Sequence, residues 1–268
     1  MFYANGNSIP IYAVDVTRPL TELLLLDSIK VSKEEGVELP FTRKDVKETI
    51  KNFVDVEYKK PFKLHSSQVT FFDAGHIPGS AQILISSQKK NILYTGDFKT
   101  EETRLLKKAY TQFPEINCLI TECTYGDRDH PDRRSQEKEL IRMIDRTLAR
   151  DGIVLIAAFA VGRAQEVLLI LDKYGIDYPL FLDGMAKKAT TIINKFNHRI
   201  KEKSSLDEAL EKVEYITNQR MRKRVIRTPC VIVSTSGMLN GGPIVWYLKK
   251  LHEREDCSLI LTGWQIEG

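Results

Sequence analysis

Phe71-Phe72-Asp73-Ala74-Gly75-His76-Ile77-Pro78-Gly79-Ser80-Ala81, followed by Tyr94-Thr95-Gly96-Asp97, is the stretch on which the fold of this chain turns. It sets a histidine in a glycine-bounded loop between two apolar runs, and an aspartate at the close of the next run. Glycine permits close backbone approach and proline stiffens the loop, so the imidazole is left little freedom. If the runs are neighbouring strands, imidazole and carboxylate arrive at one end of a sheet, where a cation would join them. Each residue also has a plainer reading: His76 as a surface or hydrogen-bonded group, Asp97 as a turn or capping residue.

Working outward, residues 69–72, 81–86 and 91–94 read as strands, the last two joined by the polar turn 87–90. Residues 9–14 and 118–121 are two more. A helix is expected over 19–29, where Pro19 suits a first turn and Thr17 offers an N-cap, and another over 43–51, capped by Thr42. From Asp127 the pattern changes. Helices over 135–150, 163–174, 186–196 and 243–251 alternate with strands over 152–157, 178–182, 229–234 and 257–262. That spacing predicts βαβ units around a mostly parallel sheet, so the fold class is α/β with a boundary near Gly126.

With 268 residues, 42% of them hydrophobic, the chain is long enough for one large core or two smaller ones. Its net charge of +4 is too small to identify nucleic acid as a partner. The run Arg220, Arg222, Lys223, Arg224 and Arg227, which holds no acidic residue, reads either as a phosphate-attracting patch or as solvated surface. Cys118, Cys123, Cys230 and Cys257 have no CxxC spacing and read as buried reduced thiols, as suits the cytosol. No signal peptide or membrane span is expected, because the leucine run at 23–26 is far too short.

Three further places invite chemistry. Glu122 follows an apolar run and would serve either to hold an imidazole in position or as a plain salt-bridge carboxylate. Val161-Gly162-Arg163-Ala164-Gln165-Glu166 puts glycine and arginine between a strand and a helix, where free amides and one guanidinium would favour an anion. Ser234-Thr235-Ser236-Gly237-Met238, with Gly241-Gly242, offers hydroxyls and amides at another strand end. A merely structural loop stands beside each of these two readings, and neither is a Walker A or GxGxxG motif. His65, His130, His198 and His252 have no histidine partner at ligand spacing and read as polar surface. Trp246 and Trp264 read as core residues rather than base-stacking ones.

Taken together, these segments resemble the β-CASP branch of the metallo-β-lactamase superfamily, which includes RNA 3′-end cleavage nucleases and archaeal relatives. The matching pieces are Pro10-Ile11-Tyr12-Ala13, the 73–81 loop, Tyr94-Thr95-Gly96-Asp97-Phe98, Glu122-Cys123-Thr124-Tyr125-Gly126, Val161 to Glu166, and Ser236-Gly237-Met238. They stand in the family's order. The resemblance implies a partial metallo-β-lactamase αββα domain over 1–126 and a partial β-CASP domain over 127–268. It also implies that His76 binds zinc, that Asp97 bridges two zinc ions, and that Glu122 supports a histidine near the leaving group. A metal-bound hydroxide would then attack an RNA phosphodiester, with Asp97 and Glu122 as catalytic residues. Arg163, Ser234, Ser236 and Gly237 would line the RNA groove.

The departures from the family pattern matter as much. The family's His-x-His-x-Asp-His motif belongs upstream of Ile9, where this sequence has Met1 to Ser8, and its last two histidines belong beyond Gly268. The expectation is therefore a chain truncated at both ends, with zinc binding and turnover impaired, since zinc takes about four ligands. Two functions compete: a metal-dependent ribonuclease of mRNA 3′-end processing or RNA decay, and a non-catalytic RNA-binding scaffold that keeps the groove. Either is expected in the cytoplasm, off the membrane, with RNA as partner and a homodimer or processing complex as its setting.

Overall fold

The hairpins expected around His76 form the centre of a five-stranded sheet in the computed structural model, which describes residues 9–265. Residues 1–8, the stretch next to the expected His-x-His motif, lie outside that description. The chain divides into two units, Met1–Glu102 with Leu106–Glu122, and Thr103–Leu105 with Cys123–Gly268.

In the first unit, β1 (Ile11–Ala13), α1 (Thr17–Glu35), α2 (Arg43–Lys51) and β2 (Phe53–Asp55) precede the sheet. The strands β3 (Phe62–Leu64), β4 (Ser67–Asp73), β5 (Ala81–Ser87), β6 (Lys90–Tyr94) and β7 (Cys118–Ile120) follow, and lie side by side in that order. Pairs are antiparallel up to β6, whereas β7 runs parallel to β6. The turn between β5 and β6 is Gln88-Lys89, with φ of 46° and 65°, the left-handed pair that a tight hairpin needs to match strand twist. Because β4 and β6 both run opposite to β5, both deliver their carboxyl ends to one edge, and β7 ends there too. The other face of these strands packs Phe72, Leu84 and Leu93 against Tyr110, Phe113 and Ile116.

Two helix starts differ in an instructive way. Thr42 caps α2 as expected, its Oγ1 accepting the Asp45 N–H at 3.4 Å while Asp45 Oδ2 accepts the Thr42 N–H at 2.8 Å. Thr17 is not a cap. It is already helical, and its Oγ1 donates to the Gly79 carbonyl at 3.4 Å, so a contact distant in sequence takes the hydroxyl away from the helix end. The short strands β2 and β3 carry no sequence signal of their own. They exist by pairing, β2 with β1 and β3 with β4.

The second unit comprises α3 (Arg133–Leu148), β8 (Ile153–Ala157), α4 (Arg163–Tyr174), β9 (Leu180–Asp183), α5 (Ala186–Lys195), α6 (Ser205–Leu210) and β10 (Val213–Tyr215). It continues with α7 (Gln219–Val225), β11 (Cys230–Ser234), α8 (Gly242–Leu251) and β12 (Ser258–Leu261). The strands form one wholly parallel sheet in the order β10-β9-β11-β8-β12. Every residue of β8 and β11 is buried, as expected when helices cover both faces. Val154 and Ile156 pack with Ile144, Leu148, Val167 and Leu168 on one face. Ile153 and Leu155 pack with Ile244, Tyr247 and Leu251 on the other. Each fully buried Ile or Leu contributes about 1.5–3 kcal/mol of transfer free energy, so this double core is the main source of the unit's stability.

Several expectations fail in detail. The basic run lies on α7 and just after it: Arg222 is committed to the buried Asp183, while Arg224, 70% exposed, pairs only across the surface with Glu214 at 3.4 Å, in keeping with the solvated reading. Cys118 and Cys123 are exposed rather than buried, and Cys257 is half-buried. Only Cys230 behaves as foreseen, its thiol pushed up to about 12 chiefly by burial. Trp246 packs beside the core, but Trp264 does not: it is 42% exposed.

Candidate active site

The loop that carries His76 is held from all sides within the first unit. Asp73 Oδ1 accepts the Gly75 N–H at 2.8 Å, and Ser80 Oγ accepts the N–H groups of His76 and Ile77 at 3.2 Å each. Tyr58 Oη donates to the Ser80 carbonyl at 2.7 Å. Gly75 has φ +66° and presses against a neighbouring segment so closely that a Cβ would lie 2.6 Å from the Ala109 nitrogen. No side chain other than hydrogen fits there, and this explains the glycine before the histidine. The imidazole itself remains accessible.

Asp97 lies three residues beyond β6, after a turn in which Thr95 Oγ1 donates to the Gly96 carbonyl at 2.8 Å and Gly96 takes φ +54°. The fold brings His76 and Asp97 together: His76 Nε2 and Asp97 Oδ2 are 3.7 Å apart, with the two side chains 44% and 69% exposed. That separation is too long for a hydrogen bond. Two donors each about 2.0–2.2 Å from one zinc ion must lie within about 4.2 Å of each other, and this pair does. The count is the difficulty. Among the described residues no group of three or more His, Cys, Asp or Glu could hold a metal ion. The pair meets the distance requirement for a shared cation and falls short of the roughly four ligands zinc takes, so no catalytic step is assigned to it alone. Glu122, half-buried, follows β7 and therefore sits at the same sheet edge.

In the second unit the segment before α4 departs from the expected anion cradle. The amides that would face a phosphate are used by the loop itself. Gln165 Oε1 accepts the Gly162 N–H at 2.7 Å, the Arg163 N–H goes to the Val161 carbonyl at 3.1 Å, and the Ala164 N–H to that of Phe159 at 3.1 Å. Gln165 is itself locked by donating to Ala160 O and Thr190 Oγ1 at 3.0 and 2.8 Å. What remains for an anion is the side chain of Arg163, a residue exposed overall whose guanidinium is largely surrounded by protein. Crowding by protein lowers its pKa, Glu166 opposes that shift and Arg133 reinforces it.

The loop after β11 divides the residues expected there. Ser234 is completely buried and Gly237 is buried, while Ser236 is half-exposed with its hydroxyl donating to Asn240 Oδ1 at 2.6 Å. A Cβ on Gly237 would meet the Phe159 nitrogen at 2.8 Å, so glycine lets this loop lie against the one after β8.

Three carboxylates of this unit are buried, Asp183, Glu166 and Glu137, and sequence reading gave none of them a role. Asp183, at the end of β9, accepts from Arg222 Nε at 2.6 Å, Tyr247 Oη at 3.0 Å and the Gly184 N–H at 2.6 Å, with Lys187 Nζ at 3.3 Å. Glu166 accepts the N–H groups of Arg104 and Leu105 at 2.9 and 2.7 Å and is paired with Arg133. A carboxylate inside an otherwise apolar strand or helix face was the available signal, since such groups are buried only when paired.

The first unit thus has a histidine and an aspartate on one sheet edge, and the second is a parallel α/β domain. Residues 1–119 match the metallo-beta-lactamase superfamily domain and residues 164–268 the Beta-Casp domain. The chain belongs to the β-CASP branch of the metallo-β-lactamase superfamily. It is 42% identical over 268 residues to a Probable RNase MJ4 of Methanocaldococcus jannaschii, covering 96% of this chain and 62% of that protein. It is 39% identical over 279 residues to Transcription termination factor FttA of the same organism, covering 97% and 44%. With RNase aCSPSF2 of Saccharolobus solfataricus it shares 35% over 256 residues, covering 95% and 51%. The chain spans about half the length of these curated relatives. Among the described residues no helix is long and apolar enough to cross a membrane.

Proposed function

We propose that this chain acts in metal-dependent hydrolysis of RNA phosphodiester bonds, of the mRNA 3′-end-processing or RNA-decay kind. The observation that carries the reading is the meeting of His76 and Asp97 at one sheet edge, 3.7 Å apart, in a member of a family whose named relatives include RNases. In this reading His76 and Asp97 are two of the donors for the zinc typical of the family. Glu122 positions a catalytic group from the same edge. Arg163 takes an RNA phosphate, Ser236 lines the groove, and Ser234 and Gly237 shape the loop behind it. Residues 1–126 form the metallo-β-lactamase part and 127–268 the β-CASP part. RNA is the partner, a second copy or a processing complex is the setting, and the cytoplasm is the site of action.

A second reading, a non-catalytic RNA-binding scaffold, draws support from the small number of donors among the described residues. Zinc content and RNA hydrolysis, measured together on this chain, separate the two. The ribonuclease reading expects bound zinc and turnover. It expects Asp97→Ala to cost more than about 100-fold in rate, beyond the 10–100-fold that a supporting residue such as Glu122 costs on changing to Gln. RNA binding with neither metal nor turnover would instead establish the scaffold.

Arg163→Ala provides an independent check on the groove. A phosphate contact carries no base information, so affinity should fall alike for all RNA sequences, and the slope of log K against log salt should drop by about 0.7. An unchanged slope removes Arg163 from the groove.

A further inference from the structure

The second unit carries a group of exposed rings that the proposed chemistry leaves unused. Tyr125, 36% exposed, meets Trp264, 42% exposed, edge to face, with ring centroids 5.6 Å apart at 84°. The exposed His130 ring lies 4.6 Å from Tyr125 at 56°. An edge-to-face pair covers at most one face of either ring, so aromatic surface is left open to solvent.

The segment that carries Trp264 is held on both sides of it. Thr262 Oγ1 donates to the Ala157 carbonyl at 2.7 Å, and Gln265 Nε2 donates to the carbonyls of Gly237 and Gly263 at 2.9 and 3.1 Å. Gly263 lies so close to the Phe159 ring that a Cβ there would approach to 2.7 Å. These bonds tie the segment after β12 to the loops after β8 and β11. In a parallel sheet all three loops leave the carboxyl edge, where ligands of α/β folds bind. Arg163 follows the β8 loop at that same edge. Tyr125 lies within electrostatic reach of both Arg163 and Arg128. Rings beside guanidinium groups are the two components of a single-strand binding surface: stacking is indifferent to sequence because every base has a π-face, and the cations follow the backbone.

We propose that Trp264 and Tyr125 form a stacking platform for the bases of a single-stranded RNA segment whose phosphate is held by Arg163. The proposal rests on the RNA reading above and adds the part of the substrate that is recognised, the exposed base. It is tested by equilibrium binding of this chain to a short unstructured oligoribonucleotide and, separately, to inorganic polyphosphate, each over a range of salt. Trp264→Ala should weaken RNA binding by roughly 5- to 150-fold with the salt slope unchanged, and leave polyphosphate binding as it was. Trp264→Phe, which keeps a ring, should recover most of the loss. Wild-type affinity for RNA in the alanine variant overturns the platform and spares the RNA reading. So does an equal loss for RNA and polyphosphate, which would mean the loop has collapsed. Unchanged RNA binding with altered self-association would make the rings a protein contact instead. If the parent chain binds no RNA at all, both proposals fall.

Discussion

Asp183→Ala is expected to destabilise the second unit by about 3 kcal/mol. The carboxylate is fully buried and receives hydrogen bonds from Arg222, Tyr247 and the Gly184 amide, with the Lys187 ammonium beside it. Removing one member of a buried ionic group leaves the others desolvated and unpaired, at about 3–5 kcal/mol. The lower end applies because the Arg222 and Lys187 side chains stay 26% and 22% exposed and recover some hydration. Both tryptophans, Trp246 and Trp264, lie in this unit, so urea unfolding followed by their fluorescence measures it directly. A midpoint unchanged from the parent would show the cluster to be dispensable.

The same carboxylate makes the loss depend on pH. Burial alone would raise the Asp183 pKa, but the Arg222 and Gly184 hydrogen bonds and the charges of Arg222 and Lys187 outweigh it and hold it below the ordinary value of 3.8. A depressed folded-state pKa means that the unfolded chain binds more protons, so the contribution is complete above the unfolded pKa and fades as pH falls through the folded one. The stability gap between the parent and Asp183→Ala should therefore hold at neutral pH and narrow below about pH 4.

Glu166→Ala should cost about 3–5 kcal/mol by a different route. Its two oxygens accept the backbone N–H groups of Arg104 and Leu105, residues that precede β7 in the chain yet group with the second unit, and it is paired with Arg133. Leu105 is buried, so truncation strands its N–H without solvent, at about 1–3 kcal/mol, before the unpaired Arg133 is counted. The Leu105 carbonyl also accepts the Lys201 N–H at 2.8 Å, so release of the segment exposes a second backbone group. Hydrogen exchange at Arg104 and Leu105 and tryptic cleavage after Arg104 should both accelerate ahead of global unfolding. Exchange as slow as in the parent would mean that the segment is held by packing instead.

Much of this architecture is written locally. Apolar alternation marks β4, β5 and β6, and the Thr42–Asp45 capping box marks the start of α2. Glycines at 162 and 175 bracket α4, whose observed span is the expected one. The elements without a signature, β2, β3, β10, α6 and α7, have three to seven residues each. Segments that short gain too little from their own hydrogen bonds to form alone, and they depend on partners distant in sequence. The same limit explains Thr17, whose hydroxyl is claimed by Gly79, and the basic run in α7, whose Arg222 is claimed by Asp183.

Two aspartates show where local information ends. Asp97 and Asp183 both follow an apolar run and stand beside a glycine. Hydrophobic runs and turn residues act over a few positions, and on that scale they place each aspartate at, or just past, the carboxyl end of a strand. Tertiary structure decided their fates: one is 69% exposed and 3.7 Å from an imidazole, the other is sealed under an arginine, a lysine and a tyrosine. A carboxylate's environment is set by whatever side chains crowd within a few ångströms, and here those come from positions 21 residues away in one case and up to 64 in the other. Only the assembled sheet brings them together.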